Sequence, residues 1–298
     1  MNIEIFIKYL KYEKRYSIHT IKSYETDLNQ FRSFVYEHCS CSEKDDVACL
    51  NYQNIRLWIV ELSLNNISAR TINRKLSCLK SFLKYLRKQN IIDDDPMAKI
   101  ISPKNKKRLP EFVQENQMNK LEASDVYTDD FSGVRDRFII EMFYNTGMRL
   151  SELINIKHVD ISFSDLTVKI LGKRNKERVC PLNSYTINIY KNYIDKKSER
   201  GFGVSKENWL FVTDKGNKMY SKFVYLKVVH YLSKVTVIDK KSPHVLRHTF
   251  ATHMLNHGAD LNAIKELLGH ANLAATQVYT HNTFGKIKDV YKQAHPRA

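Results

Sequence analysis

The run Ser242-Pro243-His244-Val245-Leu246-Arg247-His248-Thr249 puts two imidazoles and a guanidinium into one short stretch. Ser242 is a good helix N-cap and Pro243 suits the first helical position, so the run opens a helix. On that helix His244 shares a face with Arg247 or with His248. A histidine pair at i, i+4 is half of a zinc site, but the H-E-x-x-H form is absent and Arg247 would repel a cation. Histidine and arginine at a helix N-terminus suit an anion such as phosphate better. Gly269-His270 follows 26 residues after His244, and Tyr279 another nine on, in Gln277-Val278-Tyr279-Thr280-His281. Upstream, Thr146-Gly147-Met148-Arg149-Leu150-Ser151-Glu152-Leu153 carries a further arginine. Taken singly, a tyrosine among 17, a histidine after a glycine or one arginine is ordinary packing or surface; their order along the chain is what carries meaning.

The charge of the whole chain agrees with an anionic partner. Its 298 residues include 48 Lys and Arg against 32 Asp and Glu, a formal net charge of +16. An excess of that size points to a polyanion, most simply nucleic acid. Anionic lipid is the competing reading, but no basic amphipathic helix with a Trp/Phe/Leu face stands out. No apolar run approaches the ~18 residues of a membrane span, and the opening MNIEIFIKYL mixes Glu and Lys into its apolar residues. Neither a secretory signal nor membrane attachment is expected. Five cysteines (Cys39, Cys41, Cys49, Cys78, Cys180) without a C-x-x-C pair argue against a disulfide framework or zinc ribbon, and suit a reducing cytoplasm.

The elements that must position these side chains fall into two blocks. In residues 3–36, Ile3, Phe6, Ile7 and Leu10 repeat at helical spacing, and Ser17-Ile18-His19-Thr20 opens a second helix with Ile21, Tyr24, Leu28, Phe31 and Val35 on one stripe. Residues 40–50 read as a polar loop, and 51–63 and 69–90 as helices. In the last of these Arg70, Arg74, Lys80, Lys84, Arg87 and Lys88 surround the stripe Ile72, Leu76, Leu79, Leu83 and Leu86, a solvated face or a phosphate-contacting one. Asp93-Asp94-Asp95-Pro96 ends the block. Then Pro103 and Pro110 bracket Lys104, Lys106, Lys107 and Arg108, a linker or a basic strap on nucleic acid.

The division expected is therefore an all-α domain over 1–101, a basic linker over 102–110 and a mainly α domain over 111–298 with a small sheet. Arg135 to Asn145 reads as a core helix closed by Thr146-Gly147, and Leu150 to Ile156 as the start of another. Residues 166–182 alternate like strands around Gly172-Lys173-Arg174-Asn175-Lys176, a hairpin signal. Helical patterns follow near 184–197, 220–234, 243–257, 260–268 and 272–279. The two blocks carry net charges of about +4 before residue 100 and +12 after it.

Five motifs in this fixed order, T-G-M-R-L-S-E-L, G-K-R-N-K-E-R, H-V-L-R-H, L-G-H and Y-T-H, resemble the tyrosine recombinase (phage integrase-like) family. Ser17-Ile18-His19-Thr20 with Tyr24, Asp27 and Leu28 is similar to that family's core-binding domain. The compact length and the ending Ala294-His295-Pro296-Arg297-Ala298 look most like its XerC/XerD branch. Ala275 stands where a threonine is common, and residues 282–290 are less basic than is usual.

The resemblance implies a SAM-like all-α bundle followed by a mainly α catalytic domain with a small antiparallel sheet. It assigns Tyr279 as nucleophile, Arg149 and Arg247 as clamps on the scissile phosphate, and Lys173 as general acid, with Lys176 its nearby rival. His244 takes the phenol proton, His270 donates to a non-bridging oxygen, and Glu152 sits behind the cations. Neither metal nor cofactor is implied. The DNA-contact candidates are Arg70, Arg74, Lys80, Lys104, Lys106, Lys107 and Arg108. Implied partners are a double-stranded recombination site, a homo- or hetero-tetramer with a related recombinase, and a septal DNA translocase, in the role of chromosome dimer resolution. The absence of an extra N-terminal arm-binding domain favours this role over its alternative, a mobile-element integrase; a catalytically silent DNA-binding protein is the further reading. The last helix, Thr283 to Tyr291, is expected to pack into a neighbouring protomer, so that truncation after Thr280 would spare DNA binding.

Overall fold

The computed structural model of the chain describes residues 2–39, 41, 47–105, 111–122, 126–172, 175–269 and 281–297. Two compact units emerge, Met1–Arg108 and Leu109–Ala298. The architecture is mainly helical, with one three-stranded antiparallel sheet.

The first unit is four helices: α1 (Ile3–Tyr12), α2 (Ile18–His38), α3 (Tyr52–Leu64) and α4 (Ala69–Lys88). Ser17 and Ser68 stand at equivalent N-caps, their hydroxyls accepting from the backbone N–H of Thr20 and Thr71, each bond worth about 1 kcal/mol to its helix. The apolar stripes meet in a core that includes Phe6, Leu28, Phe31, Ile55, Leu79 and Phe82. Asn73 on α4 donates to the Pro103 carbonyl at 2.8 Å, so the first residues of the expected linker lie along this unit. The cysteine expectation needs correction, because Cys41 and Cys49 are joined as a disulfide. Their Cα atoms lie 6.2 Å apart, within bonding reach without any C-x-x-C pair. Cys39, Cys78 and Cys180 are free thiols.

The second unit is built around α6 (Phe131–Thr146), which is buried on nearly every face. It begins four residues earlier than the apolar pattern suggests, because the Asp130 carboxylate caps it by accepting from the Gly133 N–H at 2.8 Å. Gly147 ends it in the left-handed conformation (φ +57°), which glycine adopts without strain. The short α5 (Glu115–Lys120) precedes it, and α7 (Leu150–Leu153) follows. The turn of α7 stops short of Ile156, whose carbonyl instead accepts from the Leu210 N–H. A 3-10 turn (His158–Asp160) leads into β1 (Ile161–Ser162), β2 (Thr167–Leu171) and β3 (Glu177–Pro181). The hairpin is as expected, with Val168 opposite Cys180 and Ile170 opposite Arg178; the two-residue β1 was too short to leave a pattern.

The remaining helices are α8 (Ser184–Glu199), α9 (Ser221–Val235), α10 (Pro243–Asn256), α11 (Leu261–Leu268) and α12 (His281–Ala294). The helical pattern near 272–279 lies outside the described residues. No described helix is long and apolar enough to cross a membrane.

In the single chain the last helix packs on its own unit. It is longer than Thr283–Tyr291, and it buries Ile287, Tyr291 and Ala294 in the core of its own unit. Beyond it, Arg297 is buried against Glu141 and Glu122, and its carbonyl accepts from the Asn183 amide. Truncation after Thr280 would therefore open this core, at about 2–5 kcal/mol for each large side chain lost, rather than simply free a tail.

His295 closes the anchor. Its Nδ1 accepts from the Arg297 N–H while its Nε2 donates to the Tyr144 carbonyl, which fixes a neutral ring. Burial pushes its pKa down to about 3. The unfolded chain takes up a proton near pH 6.5 that the folded ring refuses. This stability is present above pH 6.5 and is lost as pH falls toward 3, by up to about 1.4 kcal/mol per pH unit. Denaturant titrations of the wild type at pH 6.5 and 5 will show this slope, and His295→Phe will flatten it; equal slopes would contradict the assignment.

Candidate active site

Arg149 is the N-cap of α7, and Glu152 one turn on reaches back to it twice. Glu152 Oε2 accepts from the Arg149 backbone N–H at 2.8 Å and Oε1 accepts from Arg149 Nη1 at 2.8 Å. The first bond is the carboxylate half of a capping box; the second aims the guanidinium. Glu152 is 3% exposed in its side chain, whereas that of Arg149 is 33% exposed and open to a ligand.

Arg247 enters from α10, whose start is built as expected: Pro243 sits in the first turn and the Ser242 hydroxyl accepts from the Val245 N–H. The Arg247 guanidinium donates through Nη1 to the Gly147 carbonyl at 2.6 Å and through Nη2 to the Leu268 carbonyl at 2.7 Å. The carbonyls at the ends of α6 and α11 are thus satisfied by one side chain. Burial, with the charges of Arg149 and Arg178 beside it, lowers its pKa to about 10, still fully charged at neutral pH. His244 stands one turn before Arg247 and is exposed.

A third arginine completes the cluster. Arg178 on β3 donates from Nη2 to Glu152 Oε2 at 2.7 Å and from Nε to the Leu267 carbonyl at 2.8 Å. Burial alone would raise the Glu152 carboxyl, but the hydrogen bond and charge of Arg178, then the bonds from Arg149, outweigh it and hold the group below the usual range. One buried carboxylate thus stands among three guanidiniums. Arg178 ended a motif read from the sequence without receiving a role. Period-2 alternation places it on the same inward face as Cys180, and an arginine at an inward strand position is itself a signal of a buried charge pair.

Of the residues expected at the site, Arg149, Glu152 and Arg247 come together. Lys173, His270 and Tyr279 lie outside the described residues. Gly172, which precedes Lys173, is at the cluster: a Cβ there would be 3.5 Å from Glu152 Oε1. Gly269, which precedes His270, caps α11 at φ +64°, and a Cβ there would be 3.2 Å from Arg178 Cδ. Lys176 is described and exposed.

The cationic face of α4 is arranged differently from a plain solvated helix. Arg70 and Lys80 are exposed, as is Lys104. Arg74 instead grips the buried carboxylate of Asp27, its Nη2 donating to Oδ1 at 3.0 Å, and its Nη1 donates to the Ser23 hydroxyl at 2.6 Å. Lys75, itself buried, holds the same Asp27 oxygen at 3.0 Å. Half of the Arg74 side chain stays exposed, so its head is held in a fixed place at the surface. Lys106, Lys107 and Arg108 lie outside the described residues.

Comparison with known proteins agrees with both units. Residues 111–286 match the phage integrase family, and residues 3–90 match the phage integrase N-terminal SAM-like domain. Tyrosine recombinase XerC of Listeria welshimeri is 37% identical over 295 residues, spanning 98% of this chain and 97% of that protein. The XerC of Bacillus subtilis is 35% identical, spanning 99% and 96%. Among solved structures, the XerH site-specific recombinase bound to its difH substrate superposes with a TM-score of 0.70 at 23% identity, over 96% of this chain and 82% of that one. The Tn1549 transposon integrase in complex with transposon right-end DNA gives 0.71 at 17% identity, over 96% and 98%. With both segments matched and XerC relatives aligned almost end to end, the chain belongs to the phage integrase family of tyrosine recombinases.

Proposed function

We propose that the protein is a site-specific DNA recombinase of the Xer type, which cuts and rejoins strands through a 3′-phosphotyrosyl intermediate. The observation that supports this best is the guanidinium cluster around Glu152, where Arg149 and Arg247 converge from separate helices. Such paired forks match the non-bridging oxygens of a phosphodiester, on which charge accumulates in the transition state. The XerC relatives extend the reading from the site to the role.

In this mechanism the Tyr279 phenol attacks the scissile phosphorus. The new O–P bond forms as the bond to the 5′-oxygen breaks, so the phosphodiester energy is kept in a covalent link. His244 accepts the phenol proton and Lys173 delivers one to the departing 5′-oxygen. His270 donates to a non-bridging oxygen. A 5′-hydroxyl from the partner strand then attacks the phosphotyrosine and releases Tyr279, consuming neither water nor ATP. Exchange between two duplexes requires four protomers, identical or shared with a related recombinase. Chromosome dimer resolution in the cytoplasm, in step with a septal DNA translocase, is the corresponding cellular role.

Wild-type protein incubated with a nicked suicide substrate will give a denaturant-resistant protein–DNA adduct, and Tyr279→Phe will give none. An adduct formed by Tyr279→Phe would displace the nucleophile. Binding will weaken steeply with salt, and Lys80→Ala will reduce the slope of log K against log salt by about 1 with unchanged thermal stability. Arg74→Ala will also lower the stability of the first unit, by about 1–2 kcal/mol, because Asp27 keeps only Lys75; a stability change from Lys80→Ala and none from Arg74→Ala would reverse the two assignments.

A further inference from the structure

We infer that Arg178 is a positioning residue for phosphoryl transfer, fixing both the aim of Arg149 and the end of α11 at Gly269. The inference rests on the recombinase reading above and adds to it a residue outside the expected set. Arg178 is only 4% exposed, so it does not itself reach DNA. It stands instead where three separate motif segments meet. Toward α7, its Nη2 shares Glu152 Oε2 with the Arg149 backbone N–H. Toward α11, its Nε holds the Leu267 carbonyl, and its side chain packs under Gly269 with no room for a Cβ beyond 3.2 Å from Cδ. Toward the hairpin, Nη1 lies 3.7 Å from where a Gly172 Cβ would be.

Two physical consequences follow from that position. Glu152 faces Arg149 with both oxygens. Were Arg149 its sole cation, the carboxylate would neutralise the guanidinium meant for phosphate. Arg178 takes part of that negative charge, leaving Arg149 aimed by Glu152 yet still cationic toward a ligand. The second consequence is geometric. A planar guanidinium can hold a carboxylate through one nitrogen and a carbonyl through another in fixed directions, and the single ammonium of a lysine cannot match that fork. The link between β3 and the end of α11 therefore requires arginine, not simply a positive charge.

The test compares Arg178→Lys and Arg178→Met with the wild type on one nicked suicide duplex, measuring DNA affinity and single-turnover cleavage at saturating protein. Arg178→Lys keeps the buried charge and so the fold, checked by thermal unfolding. It is expected to bind DNA within about twofold of wild type while cleaving at least ~10-fold more slowly, and Arg178→Met ~100-fold more slowly, the scale of an ångström's misplacement. In a Glu152→Gln background the same Arg178→Lys change is expected to cost less than threefold, because the carboxylate arm of the Arg178 fork is already lost. Cleavage by Arg178→Lys at the wild-type rate would overturn the inference. So would loss of DNA affinity in parallel with cleavage, or effects that simply multiply with Glu152→Gln. Failure of the wild type itself to form an adduct would instead remove the recombinase reading on which the inference stands.

Discussion

The Glu152 carboxylate is the constraint on which the second unit's site depends. Several guanidiniums crowded in a partly buried pocket repel one another, and the fold tolerates them only because a buried anion lies among them. Its burial makes each ion pair stronger than one at the surface, and its two oxygens set directions as well as charge. The cost of desolvating Glu152 is offset by Arg178 first and Arg149 second. Placing that anion three residues after Arg149, on a helix of a single turn, ties the local backbone cap to the electrostatics of the pocket.

The first unit repeats this logic with different partners. Asp27 is buried on α2 and holds two neighbouring cations of α4, one buried and one half exposed. The basic face of α4 is thus joined to the bundle's interior, and Arg74 is preordered where an unsupported arginine would sample many rotamers. In both units a buried carboxylate converts mobile positive charge into fixed positive charge.

Much of this was legible in the sequence, for identifiable reasons. Long helices such as α2 and α4 announce themselves because their apolar stripes run for many turns and each starts on a serine cap. The hairpin was legible through alternation around Gly172. The site's members Arg149, Glu152 and Arg247 were found by motif order, since no single one is distinctive. The start of α6 was missed because its first turn holds Gly133, and what fixes the boundary is a cap at Asp130. The packing of α12 on its own unit and the role of Arg178 depend on partners more than a hundred residues and some 26 residues away respectively, Tyr291 with Asn145 and Arg178 with Glu152. No local pattern carries such information. The Cys41–Cys49 pair was missed for a related reason: spacing alone does not say how a loop folds back.

The way Arg247 is anchored has an implication for hydrogen-bond supply. A guanidinium has five N–H donors, and the carbonyls of Gly147 and Leu268 take one each. Three remain, enough to pair bidentately with an oxyanion after the side chain has already been pinned at both of its terminal nitrogens. An ammonium group starts with three, so the same two anchors would leave it a single donor. The requirement for arginine at position 247 is therefore set as much by the two helix ends behind it as by any phosphate in front.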